Sequence, residues 1–537
     1  MISTDNVTVS FGDQTLFEEV SIKFFDDSCY GLIGANGAGK STFLRVLSGE
    51  IEPTNGRVMI PDGKRLAVLK QDQFAYDEYR VLDTVLMGHE TLYEVYAERA
   101  ELYAKEDMTE KEGLRVGDLE VKFGEMDGYT AEADAATMLA ELGIKDEYHD
   151  KLMKDMDPGD KIRILLAQAL FGDPDILLLD EPTNQLDYMS VLWLEKFLLD
   201  FENTVIVVSH DRHFLNKVCT HIADVDFRKI TTFVGNYDFW QQSSQLMMKQ
   251  QQDKNKKSAD KVKELEDFVR RFSANASKSK QATSRKKLIE KLRPEELATS
   301  SRRTPFIQFT GKRPCGDKVL TVKNLTHNLN GERVLNKVSF TIEKGDKVAL
   351  FGKNSLSKTA LLDIISRQII PDEGSIEWGE TITPTYFPKD NSAFFNTNST
   401  LLEWLDQYTE ENDLQLLRGF LGRMLFSGDN VTKKVSVLSG GEKARAMFSK
   451  MMMAEGNFLM FDEPTDHLDL EAITALNEGL IAFKECMIFT SHDFELLNTA
   501  SNRVIEVSPQ GMIDKQCSFD DYMANEEVQQ KREPLYA

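Results

Sequence analysis

A glycine-rich segment at residues 34–41, GANGAGKS, has the residue types and spacing that bind nucleotide phosphates. Glycines let the backbone wrap around the phosphates, so that its N–H groups and the start of the following helix face negative charge. Lys40 is placed to reach the β- and γ-phosphates, and Ser41 to ligate Mg²⁺. The predicted phosphate-binding residues are Gly34, Ala35, Asn36, Gly37, Ala38, Gly39, Lys40, Ser41 and Thr42. The chemistry indicated is the binding of ATP with Mg²⁺.

Two further apolar segments end in side chains suited to hydrolysis. Asp180 closes the run ILLLD, where its carboxylate can join the Mg²⁺ shell, and Glu181 follows in position to orient or deprotonate a water. His210 follows the run VIVVS and can sense a γ-phosphate. A lone Asp-Glu pair or a lone histidine is more often structural. The same three residue types recur in the same order at Asp462, Glu463 and His492, which favours a catalytic interpretation.

The recurrence extends to most of the chain. Segment 31–44 is repeated at 349–362, an offset of 318 residues, whereas segment 175–187 is repeated at 457–469, an offset of 282. The two offsets differ by 36, so the first copy contains 36 extra residues, roughly between Val85 and Met156. This stretch has helical patterning, and we expect it to form a helical arm at about residues 85–130.

The elements that position these residues are short strands alternating with helices, which predicts an α/β layered fold in each copy. Predicted strands cover 28–33, 176–179 and 205–208. Residues 238–305 lack strand patterning and place apolar residues at helical spacing around the polar break SANASKSKQATS, which predicts an antiparallel helical hairpin. The predicted domains are two P-loop nucleotide-binding domains at 1–237 and 306–537, joined by the basic helical linker 238–305.

The second copy also carries LSGGE, at Leu438–Glu442, before a predicted helix. Its serine hydroxyl and glycine N–H groups can cap that helix or bind a γ-phosphate across an interface. With the other motifs, this segment resembles the signature of the ATP-binding cassette (ABC) superfamily. There, each ATP lies between one cassette's phosphate loop and the other's signature, so two cassettes in one chain form both sites by closing on each other. The candidate signature residues are Ser439, Gly440, Gly441 and Glu442. Gln71 is a further candidate for contacting both the nucleotide and Mg²⁺, and Phe11 is a candidate for stacking on adenine.

The two composite sites are predicted to be unequal. The first signature position reads MDPGD, in which Asp157 would repel a γ-phosphate and Pro158 lacks a backbone donor. The second phosphate loop, residues 352–359, has serine in place of two glycines. In addition, Lys389 replaces Gln71 and Leu329 replaces Phe11. All these changes fall in one composite site, which retains Lys358, Thr359, Asp462, Glu463 and His492, so nucleotide binding there is left open.

Two cassettes without a predicted membrane span, an arm in the first and a basic linker together resemble the ABC-F family. The linker tip RRFSANASKSKQATSRKK is similar to the YbiT/YkpA-like bacterial branch, and DEPTNQLD and DEPTDHLD are close to the family's DEPTNHLD, with Gln185 and Asp466 as departures. The resemblance implies an ATPase acting as a translation factor. It implies binding in the E site of the 70S ribosome, with contacts to rRNA and P-site tRNA, and release after hydrolysis. A monomer with an intramolecular pair of cassettes is expected.

Charge agrees with an RNA partner only locally. The net charge is −24, yet residues 268–293 contain one acidic residue and nine basic ones. Lysine and arginine neutralise phosphates, so this patch is a candidate RNA-binding surface, although charge runs of this kind are often simply solvated. The candidates are Arg270, Arg271, Lys278, Lys280, Arg285, Lys286 and Lys287. Five scattered cysteines and the absence of a signal peptide predict a cytoplasmic protein.

Three other functions use the same motifs. An antibiotic-resistance factor that displaces ribosome-bound drugs is disfavoured by the short linker tip. A DNA-transaction ATPase is disfavoured because long coiled coils and zinc-type cysteine spacings are not found in the sequence. The energy subunit of a transporter would have no use for the basic linker. These three remain alternatives at the level of sequence.

Overall fold

The computed structural model describes residues 1–12, 14–70, 72, 74–105, 107–184, 186–272, 288–289, 302–329, 331–409 and 413–536. The first half contains strands β1 (Ile2–Phe11), β2 (Gln14–Val20), β3 (Lys23–Phe24), β4 (Cys29–Gly34), β5 (Asn55–Met59), β6 (Leu66–Val68), β7 (Ile176–Asp180), β8 (Thr204–Val208), β9 (His221–Asp226) and β10 (Lys229–Val234). Its helices are α1 (Lys40–Leu47), α2 (Val81–Leu86), α3 (Glu90–Tyr103), α4 (Glu110–Glu125), α5 (Ala131–Glu141), α6 (Pro158–Leu170), α7 (Tyr188–Asp200), α8 (Arg212–Val218) and α9 (Tyr237–Phe272).

The second half repeats this order without the arm. Its strands are β11 (Lys318–Leu329), β12 (Glu332–Glu343), β13 (Lys347–Phe351), β14 (Glu373–Trp378), β15 (Pro384–Phe387), β16 (Phe458–Phe461), β17 (Cys486–Phe489), β18 (Arg503–Ser508) and β19 (Gly511–Lys515). Its helices are α10 (Ser355–Ile365), α11 (Leu401–Asp406), α12 (Leu414–Arg423), α13 (Gly440–Ala454), α14 (Leu470–Ala482), α15 (Phe494–Ala500), α16 (Phe519–Ala524) and α17 (Glu526–Leu535).

Each half builds its central sheet in the same strand order. The first sheet runs β10-β9-β4-β8-β7-β6 and the second runs β19-β18-β13-β17-β16-β15, each parallel except for its last hairpin strand, β10 or β19. A smaller antiparallel sheet accompanies each. Apolar strands such as β8 are buried along their whole length because helices cover both faces of a parallel sheet. The expected α/β fold with two tandem cassettes is confirmed.

The 36 extra residues of the first half contribute two helices, α3 and α4, which pack on each other. Arg99 joins them, with its Nε 2.8 Å from Glu120 Oε1 and its guanidinium 4.1 Å from the centre of the Phe123 ring. Thr109 and Glu112 form a reciprocal capping box that starts α4. The predicted helical arm is therefore a compact helix pair in this structure.

The two cassettes contact each other through side chains that cross between their cores. Leu470 of the second cassette is buried in a core of the first, and Tyr188 of the first packs against a core of the second. Arg302 ion-pairs with Asp224 of the first cassette and Glu471 of the second, at 2.5 and 2.8 Å. These contacts hold the phosphate loop of each cassette facing the other cassette.

Helix α9 leaves the first cassette and runs for 36 residues. At about 1.5 Å per residue it is about 54 Å long. Its start at Tyr237 lies beside the predicted linker boundary. Residues 273–287, which form most of the basic tip, and nearly all of the predicted second helix of the hairpin lie outside the described residues. Among the residues that are described, no helix is long and apolar enough to cross a membrane.

Candidate nucleotide-binding sites

The first phosphate loop lies at the carboxyl end of β4, the strand between β8 and β9. Gly37 and Gly39 adopt φ values of 81° and 99°, a left-handed conformation that is costly for residues with a Cβ. Helix α1 begins at Lys40 with no described side chain capping it. The loop therefore presents uncapped N–H groups at a helix N-terminus, which is the arrangement that receives phosphate.

Three side chains predicted for hydrolysis meet behind this loop. Asp180 is the last residue of β7 and Glu181 follows it, and His210 lies two residues after the neighbouring β8. Glu181 Oε2 accepts a hydrogen bond from the His210 backbone N–H at 3.2 Å, and Lys40 Nζ donates to the carbonyls of Gly34 and Ala35. Glu181 has a φ of 50°, an uncommon conformation for a non-glycine residue that is often found at functional sites.

Unsatisfied polar atoms show that this site suits Mg²⁺ and a polyphosphate. Asp180 Oδ1 and His210 Nδ1 are buried and have no hydrogen-bond partner among the described residues. Such groups are rare in native proteins because burying them unpaired costs free energy. Ser41 and Asp180, which are hydrogen-bonded to each other, would hold Mg²⁺, and the bound ion would supply positive charge to the phosphates.

The electrostatics of the site point the same way. Burial raises the pKa of Glu181 to about 7, although the charge of Lys40 opposes the shift. Burial and the charge of Lys40 lower the pKa of His210 to about 3. Burial likewise lowers the pKa of Lys40 and raises that of Asp180. The charged form of each group is disfavoured because water is excluded from the site. A bound ligand of opposite charge would therefore stabilise the charged forms of these groups.

The second cassette completes this site. A cavity of about 540 Å³ is bounded on one side by the first phosphate loop, Glu181 and His210, and on the other by residues 465–468. Asn36 Nδ2 lies 4.0 Å from the position that a Cβ would take on Gly441 of the signature. The first phosphate loop and the intact signature thus face each other, as the resemblance to cassette ATPases implied.

The signature is shaped by close packing. Ser439 and Glu442 form a capping box that starts α13. A Cβ on Gly441 would lie 2.8 Å from the carbonyl oxygen of His467, and one on Gly440 would lie 3.1 Å from the His467 ring. Glycine is needed at 441 because a Cβ there would collide with the backbone of the segment containing His467, whereas one on Gly440 would require the His467 ring to shift.

Sequence reasoning missed the contribution of residues 465–468. Thr465, Asp466, His467 and Leu468 line the first cavity together with the opposite cassette's loop. They directly follow the motif DEP at 462–464. The repeated four-residue segment after DEP in both cassettes was the available signal, but its role depends on a contact between cassettes.

The second composite site brings together the altered residues. Its cavity of about 530 Å³ is lined by Pro158 and Gly159 of the first cassette and by Gly352, Ser355 and Lys389 of the second. Lys358 and Glu463 form a buried ion pair at 3.5 Å, and His492 Nε2 lies 3.3 Å from the same Glu463 oxygen. Burial would raise the pKa of Glu463, but His492, Lys358 and Lys389 outweigh it and the pKa is lowered. The Thr359 hydroxyl donates to Asp462 at 2.7 Å.

The remaining predicted residues divide into three groups. Phe11 lines the first cavity and is 56% exposed, so its ring is available for stacking, and Thr42 also lines that cavity. For Arg270 and Arg271 the structure describes the backbone, at the end of α9, and not the side chains. Gln71, Gln185 and the tip residues Lys278, Lys280, Arg285, Lys286 and Lys287 lie outside the described residues.

Comparison with protein families finds matches over most of the chain. A model described as ABC transporter matches residues 17–184 and 335–466, and an associated extension model of the same description matches residues 223–309. The first match contains the first phosphate loop and Asp180, and the second contains Asp462 and Glu463. The extension match spans α9 and the predicted basic tip.

Solved structures share the fold. The archaeal ribosome recycling factor aABCE1, in a complex with the ribosomal stalk protein aP1, superposes with a TM-score of 0.61 and 17% identity, covering 97% of this chain and 92% of that one. At this identity the similarity establishes the fold alone. It independently supports the tandem arrangement of two cassettes.

Curated relatives match along the full length. The chain is 56% identical over 539 residues to the uncharacterized ABC transporter ATP-binding protein YkpA of Bacillus subtilis, covering 100% of both. It is 45% identical to the probable ATP-binding protein YbiT of Escherichia coli O157:H7, covering 98% of this chain and 100% of the relative. It is 32% identical to ABC transporter F family member 2 of Arabidopsis thaliana, covering 96% and 77%. With two cassettes, an arm and full-length relatives of this kind, the chain belongs to the ABC-F family of ATP-binding proteins.

Proposed function

We propose that this protein is an ATPase that acts as a translation factor on the 70S ribosome. Closure of the cassettes on ATP would set the arm and the linker for binding in the E site, with the linker directed toward P-site tRNA. Hydrolysis would reopen the cassettes and release the protein. Such a cycle would take place in the cytoplasm, and the active unit would be a monomer.

The observation that carries the ATPase proposal is the first composite site. Its phosphate loop, Glu181 and His210 come from one cassette and face residues 465–468 of the other across a cavity of about 540 Å³, while Gly441 of the signature lies close to Asn36 of the loop. An ATP bound there would touch both cassettes at once. Nucleotide would therefore favour the closed arrangement, and loss of the γ-phosphate would weaken it.

The chain's own residues suggest how hydrolysis proceeds. Glu181 lines the cavity, and its buried carboxylate is suited to take a proton from an attacking water. His210, 3.2 Å from Glu181 Oε1, is placed to orient that water or contact the γ-phosphate. Lys40 and the N–H groups of the loop would hold the phosphates, and Ser439 at the start of α13 would approach them from the other cassette.

The ribosomal part of the proposal is supported by charge and family. The basic segment at 268–293 contrasts with a net charge of −24, and Lys and Arg contacts to phosphates provide most non-specific affinity for RNA. The superposing aABCE1 is named as a ribosome recycling factor. Serine, asparagine and glutamine in the tip are suited to hydrogen-bond phosphate or 2′-hydroxyl groups.

Co-sedimentation with 70S ribosomes tests this proposal. Glu181→Gln keeps the side-chain shape but removes the base, so phosphate release should fall by about 10²-fold or more while ATP binding persists. We expect this variant to co-sediment with ribosomes in ATP and to be lost in nucleotide-free buffer. Wild-type protein should dissociate as ATP is consumed.

Neutralising four linker lysines tests how the ribosome is held. Replacing Lys278, Lys280, Lys286 and Lys287 with glutamine in the Glu181→Gln background should weaken co-sedimentation and reduce its salt dependence. A matched control replaces four lysines of α9 that lie away from the tip, Lys256, Lys257, Lys261 and Lys263. Failure of the Glu181→Gln protein to sediment in ATP, with ATP binding intact, would rule out the ribosomal role and leave the ATPase standing.

A further inference from the structure

The phosphate loop of the second cassette has a different backbone from the first. Lys40 is the first residue of α1, whereas the equivalent Lys358 is the fourth residue of α10, which begins at Ser355. Ser355 and Ser357 stand where Gly37 and Gly39 take left-handed conformations, and they are helical instead. The loop has wound into the helix.

This winding uses the groups that would hold phosphate. The Asn354 side chain caps α10 by accepting a hydrogen bond from Ser357 N–H at 3.2 Å. In a helix that begins at Ser355, the next N–H groups bond to carbonyls four residues earlier. The Ser357 hydroxyl donates to Val334 at 2.7 Å. The Lys353 N–H also donates to the Tyr536 hydroxyl, at 3.1 Å, so the backbone cradle is reduced to the first N–H groups of α10.

Protein groups also surround the acidic residues of this site. Lys358 points to Glu463 rather than to the loop carbonyls that Lys40 contacts. Asp462 accepts hydrogen bonds from Thr359 and Thr490, each at 2.7 Å. In the first cassette, Ser41 is hydrogen-bonded to Asp180 as Thr359 is to Asp462. Thr490, however, is replaced there by Val208, which has no hydroxyl. Asp180 Oδ1 is therefore left unpaired among the described residues.

These residues do not fit Mg²⁺-ATP. Both oxygens of Asp462 are used by hydroxyl donors, and Lys389, whose ammonium donates to Ser355 at 3.1 Å, adds a fixed positive charge beside them. A second cation would be repelled there. Glu463 Oε2 remains without a hydrogen-bond partner among the described residues, so one acceptor is still free.

The cassettes meet at this site through side chains of their own. Tyr188, which starts α7, contacts three phenylalanines of the second cassette, with ring centroids 5.8 to 6.1 Å apart: Phe351, Phe494 and Phe519. The His213 ring lies against that of Phe494, with centroids 4.3 Å apart and planes tilted by 40°, and its Nδ1 lies 3.2 Å from Glu195. Aromatic contacts of this kind stabilise an interface without any ligand.

We propose that the second composite site is a joint made by protein contacts alone and that the chain binds one Mg²⁺-ATP, at the first composite site. Opening and closing would then occur at one side of the cassette pair, about a joint that stays in contact through Tyr188 and His213. This inference does not rest on the ribosomal partner.

Nucleotide counting on the full chain tests it. Equilibrium dialysis is done with a non-hydrolysable ATP analogue, once with Mg²⁺ and once in EDTA. We expect one bound nucleotide per chain with Mg²⁺ and at most one in EDTA. The EDTA arm matters because Lys353, Lys358 and Lys389 line the second cavity and would favour a metal-free nucleotide if one bound there.

Two variants assign the bound nucleotide. Lys40→Ala should lower affinity at least tenfold. Ser355→Glu places a carboxylate in the second cavity at a helix N-terminus, where it is tolerated, and should change affinity less than twofold. Circular dichroism checks that each variant is folded. Two nucleotides per chain in either buffer, nucleotide retained in Lys40→Ala, or loss of nucleotide in Ser355→Glu would each overturn the proposal.

Discussion

At the scale of single residues, the two halves of the chain use the same side chains in different states. Glu181 and Glu463 both adopt left-handed backbone conformations, with φ of 50° and 48°. Burial raises the pKa of Glu181 to about 7, whereas His492, Lys358 and Lys389 keep the pKa of Glu463 lowered despite burial. The glutamate of the first cassette therefore has too few positive neighbours to offset its burial, whereas that of the second cassette has enough.

A pH-dependent contact at the joint can be measured. The hydrogen bond to Glu195 raises the pKa of His213 above its ordinary value of 6.5, against the effect of burial, and Asp211 adds to the rise while Lys217 opposes it. A raised folded-state pKa means that the contribution of His213 to stability is present below about pH 6.5 and is lost as pH rises through the folded value. In calorimetry from pH 5 to 9, His213→Gln should flatten that part of the Tm profile.

His221 provides the control for this titration. Burial lowers the pKa of His221, so its contribution to stability changes with pH in the opposite direction. Stability is lost as pH falls, because the buried ring resists the protonation that it accepts in the unfolded chain. His221→Gln should leave the loss of stability above pH 6.5 unchanged. A His213→Gln profile parallel to wild type across the whole range would contradict the assignment.

At the scale of elements, the start of one helix distinguishes the two sites. Helix α1 begins after Gly39, whereas α10 begins two residues before Ser357, the equivalent position. The difference follows from glycine, which accepts the left-handed conformation that stops a helix from extending backwards through the loop. Serine disfavours the left-handed conformation, and in the second cassette the loop forms the first turn of the helix instead.

Converting the first loop toward the second should abolish its function. In Gly37→Ser/Gly39→Ser, each residue would pay roughly 1–2 kcal/mol to stay left-handed, and a Cβ on Gly39 would lie 3.2 Å from Leu16. We expect nucleotide affinity to fall by about 10²-fold or more, measured by equilibrium dialysis. Ala38→Ser, in the same loop, should bind normally. Wild-type affinity in the double variant would show that the loop does not need its left-handed residues.

At the scale of the whole molecule, an ionic bridge helps to fix how the cassettes face each other. Arg302 is only 10% exposed and pairs with Asp224 of one cassette and Glu471 of the other, and its guanidinium lies 4.5 Å from the centre of the Trp240 ring. Arg212 of the first cassette also reaches the second, where it donates a hydrogen bond to the Thr474 hydroxyl at 3.2 Å. The bridge lies next to the start of α9, so the linker and the cassette interface share residues.

Removing this bridge should loosen the molecule. Arg302→Ala removes the cation shared by two largely buried carboxylates, of which Asp224 keeps only its hydrogen bond from Trp240, and breaking a buried ion pair typically costs roughly 3–5 kcal/mol. Calorimetry should show a lower Tm, together with easier proteolysis between the cassettes. The exposed neighbour Arg303 is the matched control, and Arg303→Ala should melt like wild type. Equal Tm values for the two variants would indicate that the bridge is not part of the stable interface.

The amino-acid sequence alone determined the repeat, the α/β class and the candidate site. Strands predicted at 176–179 and 205–208 correspond to β7 and β8, with bounds extended by one residue, because continuous apolar runs leave little freedom in a buried parallel sheet. Motif spacing also singled out the phosphate loop and the acidic residues at the end of β7. Local patterns of this kind are readable because each depends on neighbours in the chain.

Only the tertiary structure decided how the two sites differ. The serine replacements in the second loop were visible, but the sequence left nucleotide binding there open. Whether such a loop stays open or winds into a helix depends on the energy of the fold, including the Asn354 cap and the bond from Ser357 to Val334. Residues 465–468 and Tyr188 acquire their roles from contacts between cassettes, across separations that no local pattern records.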